Sequence, residues 1–584
     1  MPAASRTRPP TRDFLYQHTS YEPDIVDSYR MIFSEASWSY LNQRPVMSND
    51  LVPASFVFND SEIYHNVGIR FGNSPWTRPS YNPTNASYRP KFGDDDRFHG
   101  WKKFKIDNQR NENYMDERVA MYLFQSNASS APYTSPPYLE NLYCQPYANN
   151  RRLAHVYDHV EVPGPAFLDR WYPGDSNGTL MKMDDRFEVS DLGQRSSSVE
   201  GRVQYPPQGG GDGSDKEEYR WYFFHRTRDK YDDFSELMDL AYLLDSRRTR
   251  TDEFNATLFD EVNVEEFIRC WSVIFNIDDW DTWGTTRGKN CYLYRPRLDG
   301  RWIYVPWDKD LIFGSLTNLP VIPQNHREAV RLSQSPNGRR VFGNVVEDML
   351  DTFWTREHIA LYFQEVVEAL PRASIGTYAR GAAFVTGRAT TMRSLIAGGA
   401  RATFEITAPA DADVRQDEGT IALEGDAPYG VWHLSLVHDG ETTVLEVPDD
   451  LDWTQTRWTT REIALRPGEN RLTVLGFSGD GASILGQDSV TVIVEGAGET
   501  FLRGDADGDG VINLNDVLFT ANYLFLEGPA PSCFDRMDAD DSGRLDLTDA
   551  LVLANYLFLE GPLPAAPFPE PGVDPTPDGL PACP

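Results

Sequence analysis

Apolar positions in the first four hundred residues follow two rhythms. Alternation over SFVFND (55–60) and NVGIRFG (66–72) predicts short strands. Recurrence at three-to-four spacing over 115–125, 234–245 and 262–276 predicts amphipathic helices. The runs 291–295 and 301–305 are rich in Tyr, Trp, Ile and Val, and Asp299-Gly300 between them reads as a hairpin turn. This aromatic hairpin leads into WDKD, where Asp308 and Asp310 stand between Trp307 and Phe313. An apolar, turn-bounded strand has no structural need of carboxylates at its exit. The segment 205–218 reads as a flexible surface insertion by its Pro, Gly and charge content.

The rhythm changes near Arg401. From there to about Gly498 come ATFEITAP, GTIALEG, WHLSLVH, TTVLEV, REIALR, NRLTVLGF and SVTVIVEG, separated by turn residues with no helical pattern between them. That many strands in about a hundred residues predicts an immunoglobulin-like β-sandwich. It has no Cys…Trp…Cys framework, so the match is to the architecture alone. Next comes a repeat. DADGDGVINLNDVLFTANYLFLEGP begins at Asp505 and DADDSGRLDLTDALVLANYLFLEGP at Asp538, which predicts two equivalent structural units. Residues 564–584 form a proline-rich tail.

Composition narrows these readings. A chain of 584 residues exceeds what one core sustains, so several domains are expected. A net charge of −33 argues against nucleic acid or an anionic membrane as main partner, since both require a positive surface. No apolar run is long enough to span a bilayer. The first residues lack the apolar core of a signal peptide, so the chain is expected to be cytosolic or to lack its leader. Of the five cysteines, Cys144, Cys270, Cys291, Cys533 and Cys583, none forms a CxxC. Structural zinc is therefore not expected. Cys533 and Cys583 share the loop-rich C-terminal region, and their pairing would imply an oxidising compartment.

Each repeat opens with an EF-hand-like loop. The first offers Asp505, Asp507, Asp509, the Val511 carbonyl, Asn513 and Asp516, with Gly510 at the sharp turn. The second offers Asp538, Asp540, Ser542, the Arg544 carbonyl, Asp546 and Asp549, with Gly543 at the turn. Calcium takes six to eight hard oxygens, and this spacing wraps them round one point. The bland alternative is an acidic solvated turn, which two in-register copies disfavour. Position 12 is Asp rather than Glu, and one helix follows each loop. That form resembles the dockerin type I family over about 501–563. The resemblance implies calcium as a folding ligand at two sites and a possible cohesin-like docking partner.

The residues before the hairpin read FNIDDWDTWGTTRGKN, placing Asp278, Asp279, Asp281 and then Asn290 upstream of Asp308 and Asp310. An Asp that accepts a hydroxyl proton, with an Asn and another Asp that hold metals, are parts kinase-like phosphoryl transfer requires. Acidic loops after helices are also common. NCYLYRPRLDGRWIYVPWDKDLIFG resembles the signature of the spore-coat protein H (CotH) kinase family, in which an aromatic hairpin ends in a W-D-x-D-x-x-F-G run. NVGIRFGNSPWT, FHGWKKFKIDNQRNENYMDERVAMYLF, AHVYDHVEVPGPAFLDRWYP and LMKMDD are similar to further family elements in the expected order.

The resemblance spans about 14–395 and implies an atypical kinase with a divergent fold. Such a kinase uses ATP and Mg²⁺ or Mn²⁺ to phosphorylate Ser or Thr of a protein partner. Carried across, it implies Asp281 as catalytic-loop acid and Asn290, Asp308 and Asp310 as metal-side and nucleotide-side residues. It also implies Lys182 as the phosphate-pairing lysine and Glu161 as the glutamate that orients it. Asp278 and Asp279 compete for the Asp281 role. Cys291 replaces a second Asn, and Lys309 between the acids would weaken metal binding if it pointed inward.

The expected architecture is multidomain: an α+β atypical kinase-like domain at 14–395, an all-β immunoglobulin-like sandwich at 401–498, and a small α calcium-binding dockerin-like domain at 501–563. The functional expectation is an exported or surface-associated protein kinase tethered by its dockerin-like module. A non-catalytic surface scaffold, or pseudokinase, is the alternative, and a carbohydrate-active enzyme ranks third. All four of Asp281, Asn290, Asp308 and Lys182 are present, which favours catalysis.

Overall fold

The computed structural model describes residues 26–580, apart from 74–76, 79–81, 83–84, 109–115, 131–135, 154–155, 190–194, 200, 202, 204–212, 315–321, 361–374, 412, 417, 448, 467, 495–499 and 575–579. Most of the insertion expected at 205–218, and Cys583, therefore lie outside the described residues. So does the first part of the region expected to begin at residue 14.

Eight strands build the first unit: β1 (Asp27–Phe33), β2 (Val52–Phe58), β3 (Glu62–Phe71), β4 (Tyr88–Lys91), β5 (Phe104–Asp107), β6 (Asn141–Ala148), β7 (Arg151–Arg152) and β8 (Tyr157–Glu161). They hydrogen-bond in the order β1-β2-β3-β4-β5-β8-β6-β7, and β1 also pairs with β6 in parallel, which closes the sheet into a barrel. Alternation sorts the side chains. Tyr29, Met31, Phe56, Val67, Ile69, Phe71, Tyr88, Phe104 and Ile106 share the barrel core. Lys105 lies between Phe104 and Ile106 in β5, so it leaves by the outer face.

That face meets a second, mostly helical unit. Helix α1 (Asp116–Ser130) follows β5, with Asp116 and Glu117 in its first turn. Acids there suit the positive end of the helix dipole. Helices α2 (Pro165–Trp171) and α3 (Val264–Asn276) come next, and Asn127 of α1 donates to the Arg269 carbonyl of α3 at 2.8 Å. The floor of the cleft is a sheet ordered β12-β9-β13-β14. It comprises β9 (Thr179–Met183), β12 (Phe223–His225), β13 (Cys291–Arg295) and β14 (Ile303–Pro306), while β10 (Arg186–Val189) and β11 (Arg195–Val199) form a separate ribbon.

The hairpin has a wider turn than expected. Its last cross-paired residues are Tyr294 and Ile303, so the connection is not a tight Asp-Gly turn. Pro296 contributes no amide proton there, and the Asp175 carboxylate accepts from the backbone of Arg297, Leu298 and Asp299.

Helices α4 (Pro336–Thr352) and α5 (Ile375–Ala400) complete this unit and carry the chain into two packed sheets. One holds Glu405–Ala408, Glu424–Asp426, Arg457–Thr460 and Leu451–Thr454. The other holds Asp413–Gln416, Ile484–Val494, Gly468–Phe477, His433–His438 and Glu441–Leu445. Leu434, Trp458, Leu472 and Val490 lie in their shared core. Three of these strands, DVRQ, LDWT and RWTT, escape the hydrophobic pattern because they are only four residues long and polar residues make up at least half of each. Arg340 of α4 is buried at the junction and donates to the carbonyls of Ala427, Pro428, Val431 and Gln455.

The repeat forms helices α6 (Leu514–Phe525) and α7 (Leu547–Leu559), packed on each other. Among the described residues no helix is long and apolar enough to cross a membrane.

Candidate functional site

Lys105 is the hub of the cleft. Its ammonium lies 2.5 Å from Asp107 and 3.0 Å from Asp308, and it is buried although charged. Asp107, Glu117 and Asp308 bring carboxylate oxygens within 4.8 Å of one another. Three elements converge here: barrel strand β5, the first turn of α1 that follows it, and the sequence-distant exit of the hairpin. Asp308 holds a left-handed backbone (φ 58°), which turns the chain sharply after Trp307. The Trp307 ring lies beneath both Lys105 and Lys182, at 5.7 and 5.8 Å.

Charge balance follows from this packing. Burial alone would push the Asp308 carboxyl up, but Lys105, Lys289 and Lys182 outweigh it and hold it well below the usual carboxylate range. Burial likewise works against the Lys105 ammonium, and Asp107, Asp308 and Glu117 more than restore it. Burial pushes the Glu117 carboxyl up despite Lys105, with Asp308 and Asp107 adding repulsion. Asp310 has no hydrogen-bond or ion-pair partner among the described residues; burial, then Asp308 and Asp107, drive its carboxyl well up. This hard-oxygen donor set with unrelieved negative charge fits a divalent cation of the Mg²⁺ or Mn²⁺ kind.

The three loop aspartates separate clearly. Asp279 is buried and paired with Lys309 at 2.9 Å, and Lys309 also donates to the Asn290 carbonyl. Lys309 thus points away from the Asp308 carboxylate. Asp278 accepts from the Gly314 amide, and burial pushes it up to about 6 against the pull of Arg388. Asp281 faces the cleft, receives Asn290 Nδ2 at 3.1 Å and pairs with Lys289 at 2.9 Å. Burial pushes its carboxyl up to about 6, opposed by Lys289 and assisted by Asp279 and Asp308.

The pair expected between Lys182 and Glu161 does not form. Lys182 bonds Asp184. Glu161 bonds Arg170 of α2 and accepts the Glu140 amide. The reason is register: β8 pairs with β5 inside the barrel wall, so Glu161 lies opposite Phe104 and not over β9. Lys182 still contributes to the field at Asp308. Sequence reasoning missed Lys105, Asp107, Glu117 and Lys289. The alternation Phe-Lys-Ile-Asp, followed by a helix with Glu in its first turn, was the available signal.

In the C-terminal unit, Asp505, Asp507 and Asp509 cluster, as do Asp538, Asp540 and Asp549. Asn513 with Asp516, and Asp546 with Asp549, form capping boxes that start α6 and α7, so these residues shape the loop as well as facing it. Ser542 hydroxyl donates to the Arg544 carbonyl, and Asn513 Nδ2 to the Val511 carbonyl. Burial, then Asp538 and Asp540, push the Asp549 carboxyl up to about 7. Acids so crowded fit a bound cation. Arg536, which pairs with Asp505 at 3.0 Å, was not foreseen. Cys533 is disulfide-bonded, whereas Cys144, Cys270 and Cys291 are free and buried.

A lysine–carboxylate cleft between a barrel and a helical unit, followed by a sandwich and paired acidic loop–helix repeats, defines a multidomain protein with three separate acidic clusters among the described residues. Residues 71–373 match the family described as CotH kinase protein, and the chain belongs to that family. Residues 503–558 match the dockerin type I domain. No curated protein matches the chain. Among solved structures, the fibronectin(III)-like modules of Clostridium thermocellum CbhA are 18% identical, covering 16% of this chain and 98% of theirs at a TM-score of 0.12. The endo-beta-1,4-mannanase from Thermotoga petrophila is 12% identical, covering 20% of this chain and 24% of its own at a TM-score of 0.13. At such scores neither likeness carries an argument.

Proposed function

We propose that the cleft transfers the γ-phosphoryl group of ATP to Ser or Thr of a protein partner. The observation that carries this reading is the ion pair between Lys105 and Asp308, whose sequence separation is 203, with Glu117 of α1 in the same cluster. Phosphoryl transfer depends on positioning and electrostatics, and needs a lysine for nucleotide phosphates, a metal-side acid and a base near the acceptor hydroxyl. Lys105 takes the lysine role and Glu117 steadies it. Asp308 and Asp310, with Asn290 beside them, would hold Mg²⁺ or Mn²⁺, which would supply charge neutralisation on the phosphates. Asp281 receives the acceptor hydroxyl proton, with Lys289 and Asn290 fixing its carboxylate. Lys182 lines the same field from β9. The dockerin unit binds two calcium ions and tethers the catalytic unit to a cohesin-like partner, which with the Cys533 disulfide supports an extracellular or cell-surface setting.

The test is incubation of the full chain with γ-labelled ATP and Mg²⁺ or Mn²⁺, beside Lys105→Met, Asp308→Ala and Lys182→Met. Label from wild type, lost in the first two variants and reduced less in the third, is expected. Absence of both label and ATP binding in wild type would sink the reading and leave a scaffold.

A further inference from the structure

The outer face of the barrel carries more positive charge than the Lys105 cluster uses. Arg70 of β3 lies directly across from Arg89 of β4, and Lys91 across from Lys103. Tyr88 pairs with Ile106, which places Arg89 beside Lys105. Since Ile69, Phe71, Tyr88, Phe104 and Ile106 fill the barrel, Arg70, Arg89, Lys103 and Lys105 share the opposite face. Arg226, just past β12, brings a cation from the cleft floor into the field of Arg70 and Lys103.

Acids do not balance this row. Arg89, Lys91, Lys103 and Arg226 have no ion pair and no side-chain hydrogen bond among the described residues, and Arg89 Nε is buried without a partner. Arg70 donates only to its neighbour's carbonyl, that of Phe71. Burial and the surrounding cations push Arg70 down to about 9, and enclosure with Arg226 and Arg89 pushes Lys103 down to about 8. In a chain of net charge −33, so concentrated a positive patch focuses anions onto one place.

We infer that this ladder seats a chain of linked phosphates, laid across β3, β4 and β5 with one end beside Lys105. The source is the triphosphate of a nucleotide or a short inorganic polyphosphate. Neighbouring strands lie about 4.8 Å apart, so the row from Lys105 to Arg70 extends roughly 10 Å and exceeds what one phosphate occupies. Arginine forks grip phosphate oxygens in pairs. A phosphate chain can also share a divalent cation with Asp308 and Asp310, whereas an acidic peptide would bring carboxylates against carboxylates. The location rests on the phosphoryl-transfer reading; the binding itself does not.

The test is calorimetric titration of the full chain with tripolyphosphate, divalent ions omitted, for wild type, Arg70→Gln/Arg89→Gln, Arg70→Lys/Arg89→Lys and Asp308→Asn. The Gln pair is expected to weaken binding about tenfold or more. The Lys pair keeps the charge but not the forks and should bind between wild type and the Gln pair, which separates lost charge from lost folding, and Asp308→Asn should bind at least as well as wild type. ATP binding tighter than tripolyphosphate would assign the source to a nucleotide, and the reverse order to polyphosphate. Wild-type binding unchanged in the Gln pair, or no binding at all, would overturn the inference even if label transfer succeeds. A polyglutamate peptide binding better than tripolyphosphate would overturn it in favour of an acidic protein segment. Arg-dependent tripolyphosphate binding without label transfer would keep the ladder and reject the kinase reading.

Discussion

Lys105→Met is the most informative single change. It removes the one cation in direct contact with Asp107 and Asp308 while keeping the length and apolar character of the stem. At an effective dielectric constant of about 20, a pair at 3 Å gains roughly 5 kcal/mol of Coulomb energy before desolvation. Breaking a buried pair by removing one partner typically costs about 3–5 kcal/mol, because the remaining charge is left without compensation. Lys105 and Asp107 side chains are only 4% and 3% exposed, and Asp308 28%, so solvent screens this network weakly. We expect the barrel and helical unit to lose about 3–5 kcal/mol at pH 7, against a typical domain stability of about 5–15 kcal/mol.

The pH dependence distinguishes this cause from a packing defect. In wild type the Asp308 carboxyl is held below its unfolded value, so its stabilisation is full above about pH 4 and is lost as pH falls through the lower, folded value. In Lys105→Met the acids lose their counter-charge and their carboxyls move upward. Protonation then relieves the repulsion, and the deficit shrinks between pH 7 and pH 5. Urea unfolding followed by tryptophan fluorescence at both pH values, with Lys182→Met as comparator, measures it. Lys182 ion-pairs with Asp184 in a partly buried position (12% and 22% exposed) and touches neither Asp107 nor Asp308, so its removal should cost less than that of Lys105. A Lys105→Met deficit equal at pH 5 and pH 7, or smaller than that of Lys182→Met, would refute the account.

Calcium removal should unfold the C-terminal repeat, and Asp538→Ala should raise the calcium needed to restore it. Far-ultraviolet circular dichroism during a calcium titration reads both. Arg340→Ala removes four hydrogen bonds to junction carbonyls, of which Val431 keeps Asn344 and Pro428 keeps the Val431 amide, and should cost about 2–4 kcal/mol, with faster proteolysis between the helical unit and the sandwich. Asp348 carries a carboxyl that burial pushes up to about 6, with Arg269 opposing. Its folded value exceeds its unfolded one, so stability falls as pH rises through about 6. That loss begins near pH 4 and is complete above about pH 6, so Asp348→Asn should be neutral near pH 4 and more stable than wild type near pH 8, by melting temperature.

Much of the architecture was legible because it rests on local rules. The 3.6-residue rhythm locates α1 and α3, and the in-register aspartates locate both acidic loops. Closure of the barrel was not legible, since it depends on β1 pairing with β6 in parallel, and nothing in either strand names its partner. That long-range pairing orients β5, and so decides that Lys105 rather than Lys182 touches Asp308. The hairpin chemistry could be read from WDKD itself. Its lysine partner could not, because Phe-Lys-Ile-Asp looks like any amphipathic strand until the opposite face is known.

The fate of the three loop aspartates shows how the fold assigns roles that sequence leaves equal. Asp278, Asp279 and Asp281 are the same residue within four positions, and spacing ranks none of them. Packing gives each a different basic neighbour: Arg388 stands near Asp278, Lys309 pairs with Asp279, and Lys289 pairs with Asp281. The Lys309 pair is fully buried, with its second contact on the Asn290 backbone, so it braces the loop against the hairpin. The Lys289 pair is the one that also faces Asn290 and the field of Asp308. Exchange of an acid for its amide separates these duties. Asp279→Asn should cost more stability, because it strands a fully buried lysine, whereas Lys289 keeps some access to solvent, so Asp281→Asn should cost less and abolish label transfer. Equal loss of stability in both variants would mean that Asp281, too, only holds the loop.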